Sequence, residues 1–414
     1  MKKINPLLQL WVGTNLPKEH IFISQTDRPQ GLLGLIRIYF RKWFIHPVKR
    51  KIAKYYLFLL KNLFGLKVIA ITGSAGKTTT KDMVASILRQ KASTVVSFAN
   101  IDPVYNIPTT ILNCRPSTKY LVLEMGIEYP GEMDFYLWMA KPDISVITNI
   151  FPTHTLFFGN EEGVAREKGK IVKFLGKNGI AVLNNENKFT KAVGDKLKSK
   201  IIWFGKSGDI EASKIKITKD FSTEFEIKTK NTSYNVEIPI LGQQFVSNAL
   251  AAASVAEALG FSQEEIIKGL KKYSRPEHRM NVIKLENGGL LLDDSYNNNP
   301  AAAKESLGVF KSIVGKRKSI LVFGDMLELG VNEISYHREI GKLIGTYKFD
   351  YVIGVGKLSR FVVDEVKKKS KKVSWVSSQD QVLPILKPII DRNSIILVKG
   401  SRSIGLDKVV SQLS

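Results

Sequence analysis

The chain reads as an α/β protein: a central P-loop-type domain on a mostly parallel sheet, then a C-terminal Rossmann-like α/β domain, with a small, mainly helical N-terminal extension. Three observations predict this. Short apolar runs recur through most of the sequence, separated by segments long enough for a helix. One run leads straight into a glycine-rich turn, Gly73-Ser74-Ala75-Gly76-Lys77-Thr78-Thr79. Several later runs end in glycine or acidic residues, as strands do where an open parallel sheet binds ligands.

Residues 1–66 make up the extension. Between residues 31 and 67 lie nine Lys or Arg and no acid, interleaved with Phe40, Trp43, Phe44, Tyr55, Tyr56, Phe58 and Phe64. A basic, aromatic, amphipathic stretch of this kind can lie in the plane of an anionic bilayer surface. Packing of its apolar face on the next domain or on a partner subunit is the plainer alternative. Pro47 predicts a split into two helices. The central domain covers 67–279. Residues 68–71, 120–124 and 144–148 read as buried parallel strands, continued by 180–183 and 201–204. Alternation over 223–228 and 234–238 marks an antiparallel hairpin. The Ala-rich run 248–260 is a helix closed by glycine, and the polar stretch 273–279 a hinge. The last domain, 280–414, repeats the α/β pattern with strands at 290–293, 319–323, 351–355 and 394–398.

At 414 residues with 44% hydrophobic content, the chain can build two or three real cores. No window reaches the 18 or so nearly uncharged apolar residues of a spanning helix. The start, Met1-Lys2-Lys3-Ile4-Asn5-Pro6, lacks a signal-peptide core and cleavage site. The single cysteine, Cys114, excludes an internal disulfide and fits a reducing compartment, with its neighbours implying a quiet, part-buried thiol. A cytoplasmic protein is expected, with peripheral contact at the inner face of the membrane as an addition the basic segment allows. The net charge of +24 is spread over helices and loop runs such as 367–372. No zinc-finger spacing, aromatic-basic RNP pattern or recognition helix accompanies it, so nucleic acid is not expected. A basic surface favours anionic substrates and membranes.

The glycine-rich turn carries the chemistry. After the strand at 68–71, the small residues Gly73, Ser74, Ala75 and Gly76 let backbone N–H groups converge on phosphate oxygens. Lys77 reaches the outer phosphates, and Thr78, with Thr79 beside it, supplies a hydroxyl for Mg²⁺. The Gly73–Lys77 spacing is shorter than the eight-residue Walker form. Strand, glycine, Gly-Lys-Thr and helix in this order point to a nucleoside triphosphate. Glu124 ends a buried strand, where a carboxylate would face that turn and hold Mg²⁺; a cap or surface group is the alternative. His154 follows the next strand, with a hydrogen-bonding loop histidine as the bland reading. Lys168 reads by composition as a surface lysine.

Together with Thr148-Asn149-Ile150, Leu183-Asn184-Asn185-Glu186, Asn248-Ala249-Leu250-Ala251-Ala252 and the loop 293–300, these motifs resemble the ATP-dependent Mur ligase family. Gly324-Asp325-Met326-Leu327-Glu328-Leu329-Gly330, His337 and Val398-Lys399-Gly400-Ser401-Arg402 resemble its D-alanyl-D-alanine-adding branch. The likeness runs from about residue 67 to the C-terminus. It implies a cell-wall peptidoglycan ligase that uses ATP and two Mg²⁺ ions, with Lys77, Glu124, His154 and Lys168 catalytic. Thr78 and Glu124 would hold one ion. The neighbourhood of Glu124, His154 and a carbamylated Lys168 would hold the other. A bare ammonium repels Mg²⁺, whereas a carbamate offers an anionic oxygen. Asn297 and Asp325 would serve the nucleotide, and His337, Lys399 and Arg402 the substrate.

The implied reaction activates a carboxylate as an acyl phosphate and couples it to the amine of an amino acid or dipeptide. The partners are then an anionic wall precursor and that amine, and the enzyme a monomer. Ala75 departs from the family's usual Asn, and Gln243-Gln244 from a His-containing motif; neither threatens ATP use. About 66 residues precede the turn, where the family places a complete uridine-nucleotide domain. The precursor is therefore expected either UDP-linked, held in a reduced way, or lipid-linked at the membrane surface. Another amide ligase of the superfamily, acting on a non-standard wall peptide or of folylpolyglutamate synthase or poly-γ-glutamate type, and a non-catalytic ATP-binding wall-assembly protein stand as alternatives.

Overall fold

The computed structural model describes residues 6–14, 16–23, 31–98, 101–151, 155–274, 277–327 and 329–413. His154 lies outside them. Contacts within the chain divide it into two compact units. The first comprises Met1–Ile215, Glu224–Ile238 and Phe245–Tyr273; the second comprises Lys216–Thr223, Pro239–Gln244 and Ser274–Ser414.

The nine-stranded sheet begins with β1 (Lys67–Thr72), β2 (Thr94–Val96), β3 (Tyr120–Glu124) and β4 (Ile144–Ile147). It continues with β5 (Ile180–Asn184), β6 (Lys200–Phe204), β7 (Ile210–Ile217), β8 (Thr223–Thr229) and β9 (Ser233–Ile238). Their order is β2-β3-β1-β4-β5-β6-β7-β8-β9. Every neighbouring pair from β2 to β7 is parallel. Val68–Ile71 and Leu121–Leu123 are buried without interruption, as strands covered on both faces must be. In β8, buried Thr223, Phe225 and Ile227 alternate with more exposed neighbours, the pattern of a strand with one covered face. The chain leaves β1 for one side of the sheet and later returns to β4 on the other. That reversal is where an open α/β sheet splays its loops to admit a ligand.

Leu32 to Phe64 is one helix rather than two. Leu32–Phe40 and His46–Phe64 join through a π-helical turn at Arg41–Ile45, and the His46 N–H donates five residues back to the Arg41 carbonyl. In a regular α-helix the ring of Pro47 would meet the carbonyl of residue 43. Widening the preceding turn absorbs one residue and lets the helix run on. Its inner face buries Pro47, Arg50, Ala53, Leu57 and Leu60. The last three join the core that holds Val68, Ile107, Leu121 and Phe135, so this segment is an integral part of the first unit. Its outer face carries Ile36, Phe40, Phe44, Val48, Ile52, Tyr55, Leu59 and Leu63, three or four residues apart and each at least 44% exposed. No helix among the described residues is long and apolar enough to cross a membrane. Cys114 is buried, which pushes its thiol up to about 12, so it is inert.

The second unit holds β10 (Asn281–Lys284), β11 (Leu290–Asp294), β12 (Lys318–Gly324), β13 (Tyr351–Val355), β14 (Val373–Val376) and β15 (Ser394–Lys399). Their order is β10-β11-β15-β12-β13-β14. Only the β10–β11 pair is antiparallel among the pairings in this sheet. The core is aliphatic, with Leu291, Val322, Ile353, Ile396 and Val398 at its centre. Register sets Asp294 beside Lys399, and Lys399 beside Phe323. The polar groups that follow β11, β15 and β12 therefore share one edge.

Candidate active site

β1 runs into a turn that tolerates only glycine at two places. Gly73 has φ +152°, and a Cβ there would lie 1.9 Å from Thr148 Oγ1. Gly76 has φ +77°, and a Cβ would lie 2.3 Å from Asn248 Oδ1. Neighbouring groups brace the turn. Ser74 N–H donates to the Asn149 carbonyl at 2.9 Å, and Ala75 N–H to Asn149 Oδ1 at 2.8 Å. The Thr148 hydroxyl donates to the Ala75 carbonyl at 2.6 Å. The helix Lys77–Leu88 starts directly afterwards with no side-chain cap. Its opening N–H groups and dipole make that end an anion site.

Two lysines converge on one oxygen of this turn. Lys77 Nζ donates to the Gly73 carbonyl at 3.0 Å and Lys168 Nζ to the same carbonyl at 3.2 Å. Lys168 sits on the helix Glu161–Lys173 and is only 2% exposed, not the surface lysine that composition suggests. Burial, then the Lys77 charge, hold its amine well below the usual lysine range, against weaker opposition from Glu132 and Glu167. Its free-amine form is thus reached at far lower pH than for a surface lysine.

Beside the lysines, the Thr78 hydroxyl donates to Glu124 Oε1 at 3.2 Å. Glu124 Oε2 lies 4.0 Å from the buried Lys81 Nζ, which also donates to the Ser97 carbonyl at 2.8 Å. The Glu124 N–H donates to Ser97 Oγ at 2.9 Å. A hydroxyl and a carboxylate are hard donors that suit Mg²⁺. No group of three His, Cys, Asp or Glu placed to hold an ion occurs among the described residues. So sparse a set fits Mg²⁺, which keeps several waters and takes other oxygens from phosphates. Lys168 as an amine is no ligand for such an ion; as a carbamate it is.

The second unit uses its polar residues differently. Lys399, 1% exposed, donates to Asp294 Oδ2 at 2.6 Å and to the Asn297 carbonyl at 3.0 Å. His337 is fully buried: its Nε2 accepts the Met326 N–H at 2.9 Å, and its Nδ1 donates to the Glu333 carbonyl at 2.7 Å. Both ring nitrogens are thereby engaged with backbone, and burial lowers the ring's affinity for a proton. Asp325 accepts the Ser359 N–H at 2.6 Å. Asn297 is exposed at the edge, while Arg402 is half exposed and lies 3.3 Å from Asp407. Thr78, Glu124, Lys77 and Lys168 gather around the first turn; Asn297, Asp325, Lys399 and Arg402 belong to the edge of the second sheet.

Sequence reasoning assigned no role to Asn149 and Asn248, although both brace the turn. Asn248 also accepts from the Thr80 hydroxyl at 3.2 Å. A polar residue just after an apolar strand, and an Asn on a buried Ala-rich helix, were the available signals.

Known proteins match both units. Residues 71–256 match the Mur ligase middle domain, and residues 278–402 match the "Mur ligase, glutamate ligase domain". The UDP-N-acetylmuramoyl-tripeptide–D-alanyl-D-alanine ligase of Buchnera aphidicola subsp. Baizongia pistaciae is 38% identical over 351 residues, covering 84% of this chain and 75% of that protein. The ligase of the same name from Escherichia coli K12 is 32% identical over 353 residues, covering 84% and 76%. The crystal structure of MurF from Acinetobacter baumannii superposes with a TM-score of 0.79 at 30% identity, over 89% of this chain and 80% of that one. The chain belongs to the Mur ligase family, in its branch of UDP-N-acetylmuramoyl-tripeptide–D-alanyl-D-alanine ligases.

Proposed function

We propose that this protein is an ATP-dependent amide ligase that joins D-alanyl-D-alanine to the peptide carboxylate of a UDP-N-acetylmuramoyl-tripeptide, releasing ADP and phosphate. The observation that carries this reading is the convergence of Lys77 and Lys168 on the Gly73 carbonyl, with Thr78 and Glu124 paired beside them. In the first step a carboxylate oxygen attacks the γ-phosphorus, and the bond to ADP breaks. In the second, the dipeptide amine attacks the acyl carbon, sheds its proton, and phosphate leaves from the tetrahedral intermediate. Lys77 and the N–H groups at the start of Lys77–Leu88 hold the phosphates and stabilise charge on the transferring group.

Thr78 and Glu124 would hold one Mg²⁺, and carbamylated Lys168 with His154 and the Glu124 neighbourhood a second; bound there, Mg²⁺ neutralises phosphate charge. Lys168 is suited to carbamylation because its burial favours the free amine. That nitrogen adds to the carbon of CO₂, loses a proton to solvent, and becomes an anionic oxygen donor. In the second unit Asn297 and Asp325 serve the nucleotide, and Arg402 the incoming substrate. Lys399 and His337 position the loops that carry them.

The protein works as a cytoplasmic monomer, with the outer stripe of the helix 32–64 resting on the anionic inner face of the membrane. Eight basic and no acidic residues in that helix, beside its exposed apolar line, support this. Flotation with phosphatidylglycerol vesicles checks it, and Phe40→Glu/Phe44→Glu should abolish the association. The ligase reading is tested by product mass and phosphate release with UDP-N-acetylmuramoyl-tripeptide and D-alanyl-D-alanine. Coupling of free glutamate instead, or no ATP-dependent product, overturns it.

A further inference from the structure

Between the inner face of the helix 32–64 and the helix Pro103–Leu112 lies a cavity of about 330 Å³. It is lined by Arg41, His46, Lys49, Arg50, Tyr105 and Thr109, at the small end of the range for ligand pockets. The π-turn borders this space, since Arg41 begins that turn and His46 follows it.

Its cations form no ion pair among the described residues. Among the described residues no carboxylate oxygen lies within 4.0 Å of a side-chain nitrogen of Arg41, Lys49 or Arg50. Arg50 is 3% exposed. Its Nη1 donates to the Val12 carbonyl at 2.9 Å and its guanidinium lies 5.1 Å from the Phe135 ring centre, yet its buried Nε has no partner. Lys49 Nζ donates to Thr109 Oγ1 at 2.9 Å. The nearby acid, Asp102, is already engaged: Oδ1 accepts the Val104 N–H at 2.8 Å, and Oδ2 lies 3.7 Å from His20 Nδ1. Burial and the charges of Arg50, Arg41 and Lys49 push His46 down to about 4, so its ring is neutral and adds no repulsion of its own.

Buried cations are normally paired, and an arginine fork matches phosphate oxygens. We propose that this pocket binds a phosphate-bearing anion, either the diphosphate of the wall precursor or the headgroup phosphate of a membrane lipid. The precursor assignment rests on the ligase reading; the phosphate chemistry does not.

The full chain, saturated with ADP and Mg²⁺ to occupy the glycine-rich turn, is titrated with inorganic pyrophosphate while NMR follows the His46 ring. The proposal predicts a saturable shift of His46. Arg41→Glu/Lys49→Glu should weaken it at least about tenfold, the scale of a lost charge-assisted hydrogen bond. Arg50→Lys, which keeps the charge and removes the fork, should weaken it without unfolding the protein. In a second arm, flotation is measured with phosphatidylcholine vesicles with and without phosphatidylglycerol. Loss of flotation in Arg41→Glu/Lys49→Glu, but not in the equally charged control Arg37→Glu/Lys67→Glu, identifies a headgroup phosphate as the source. An unmoved His46 together with equal flotation of both double variants overturns the proposal. Ligation separates the two readings. If only the pocket fails, Arg41→Glu/Lys49→Glu keeps the wild-type KM for the precursor; if only the ligase reading fails, His46 still responds but no amide forms.

Discussion

Lys168 in the first unit and Lys399 in the second are almost equally buried, 2% and 1% exposed, but they are partnered in opposite ways. Lys399 meets a carboxylate, Asp294, at 2.6 Å. Lys168 meets a backbone carbonyl, and no carboxylate comes within 4.0 Å of it among the described residues. Burying a charge is costly unless an opposite charge comes with it. The Asp294–Lys399 pair is therefore a closed structural clamp between neighbouring strands. Lys168 is pushed toward its uncharged, reactive form. Partner, not burial, separates a lysine held as an ion pair from one held near its free amine.

Breaking the clamp gives the largest effect. Lys399→Ala strands a buried carboxylate and should cost about 3–5 kcal/mol of stability, read from denaturant unfolding of the second unit. A protein as stable as wild type would show that Asp294 finds another partner. Lys168→Ala should behave inversely, keeping the fold while kcat for amide formation falls about 10²–10³-fold, the scale of a lost electrostatic contact to a transferring group. Lys77→Ala should fall by a similar factor. Depleting CO₂ should lower wild-type activity about tenfold or more, with bicarbonate restoring it, as for loss of a group that tunes a metal site. Lys168→Ala, which has no amine to carbamylate, should show no bicarbonate response.

The smallest effect is on pH dependence. The folded-state pKa of Lys168 is depressed below its unfolded value, so the folded state takes up this proton less readily. The stability tied to it is complete above the unfolded lysine pKa and declines as pH falls toward the folded one. Lys168→Met should flatten that part of the stability profile, measured as denaturant midpoints against pH. An unchanged slope would contradict the free-amine assignment.

The glycine-rich turn was legible because its chemistry is local. Two glycines, a lysine and a threonine stand together after an apolar strand, and each is needed within a few ångströms. Lys168 was not legible from composition, because the carbonyl that it meets lies 95 residues away in sequence. The resemblance picked it out where residue chemistry alone could not. Lys399 and its partner are 105 residues apart, and His337 reveals its loop-holding bonds only once Met326 folds back onto it. The parallel strands of both sheets were readable from apolar runs. The continuity of the helix 32–64 was not, since a proline inside a helix usually marks a break, and a π-turn that accommodates it leaves no mark in residue type. Membership of that helix in the first core depends on contacts with Ile107 and Phe135, which no local pattern announces.

The most direct test uses tripeptide precursor carrying oxygen-18 in its terminal carboxylate, incubated with ATP, Mg²⁺ and D-alanyl-D-alanine. Attack of that carboxylate on the γ-phosphorus predicts one labelled oxygen in the released inorganic phosphate and one retained in the amide, with both products forming about 10²–10³-fold more slowly in Lys168→Ala. Label appearing in AMP, or unlabelled phosphate accompanying amide formation, would contradict carboxylate activation at the Gly73–Thr78 turn.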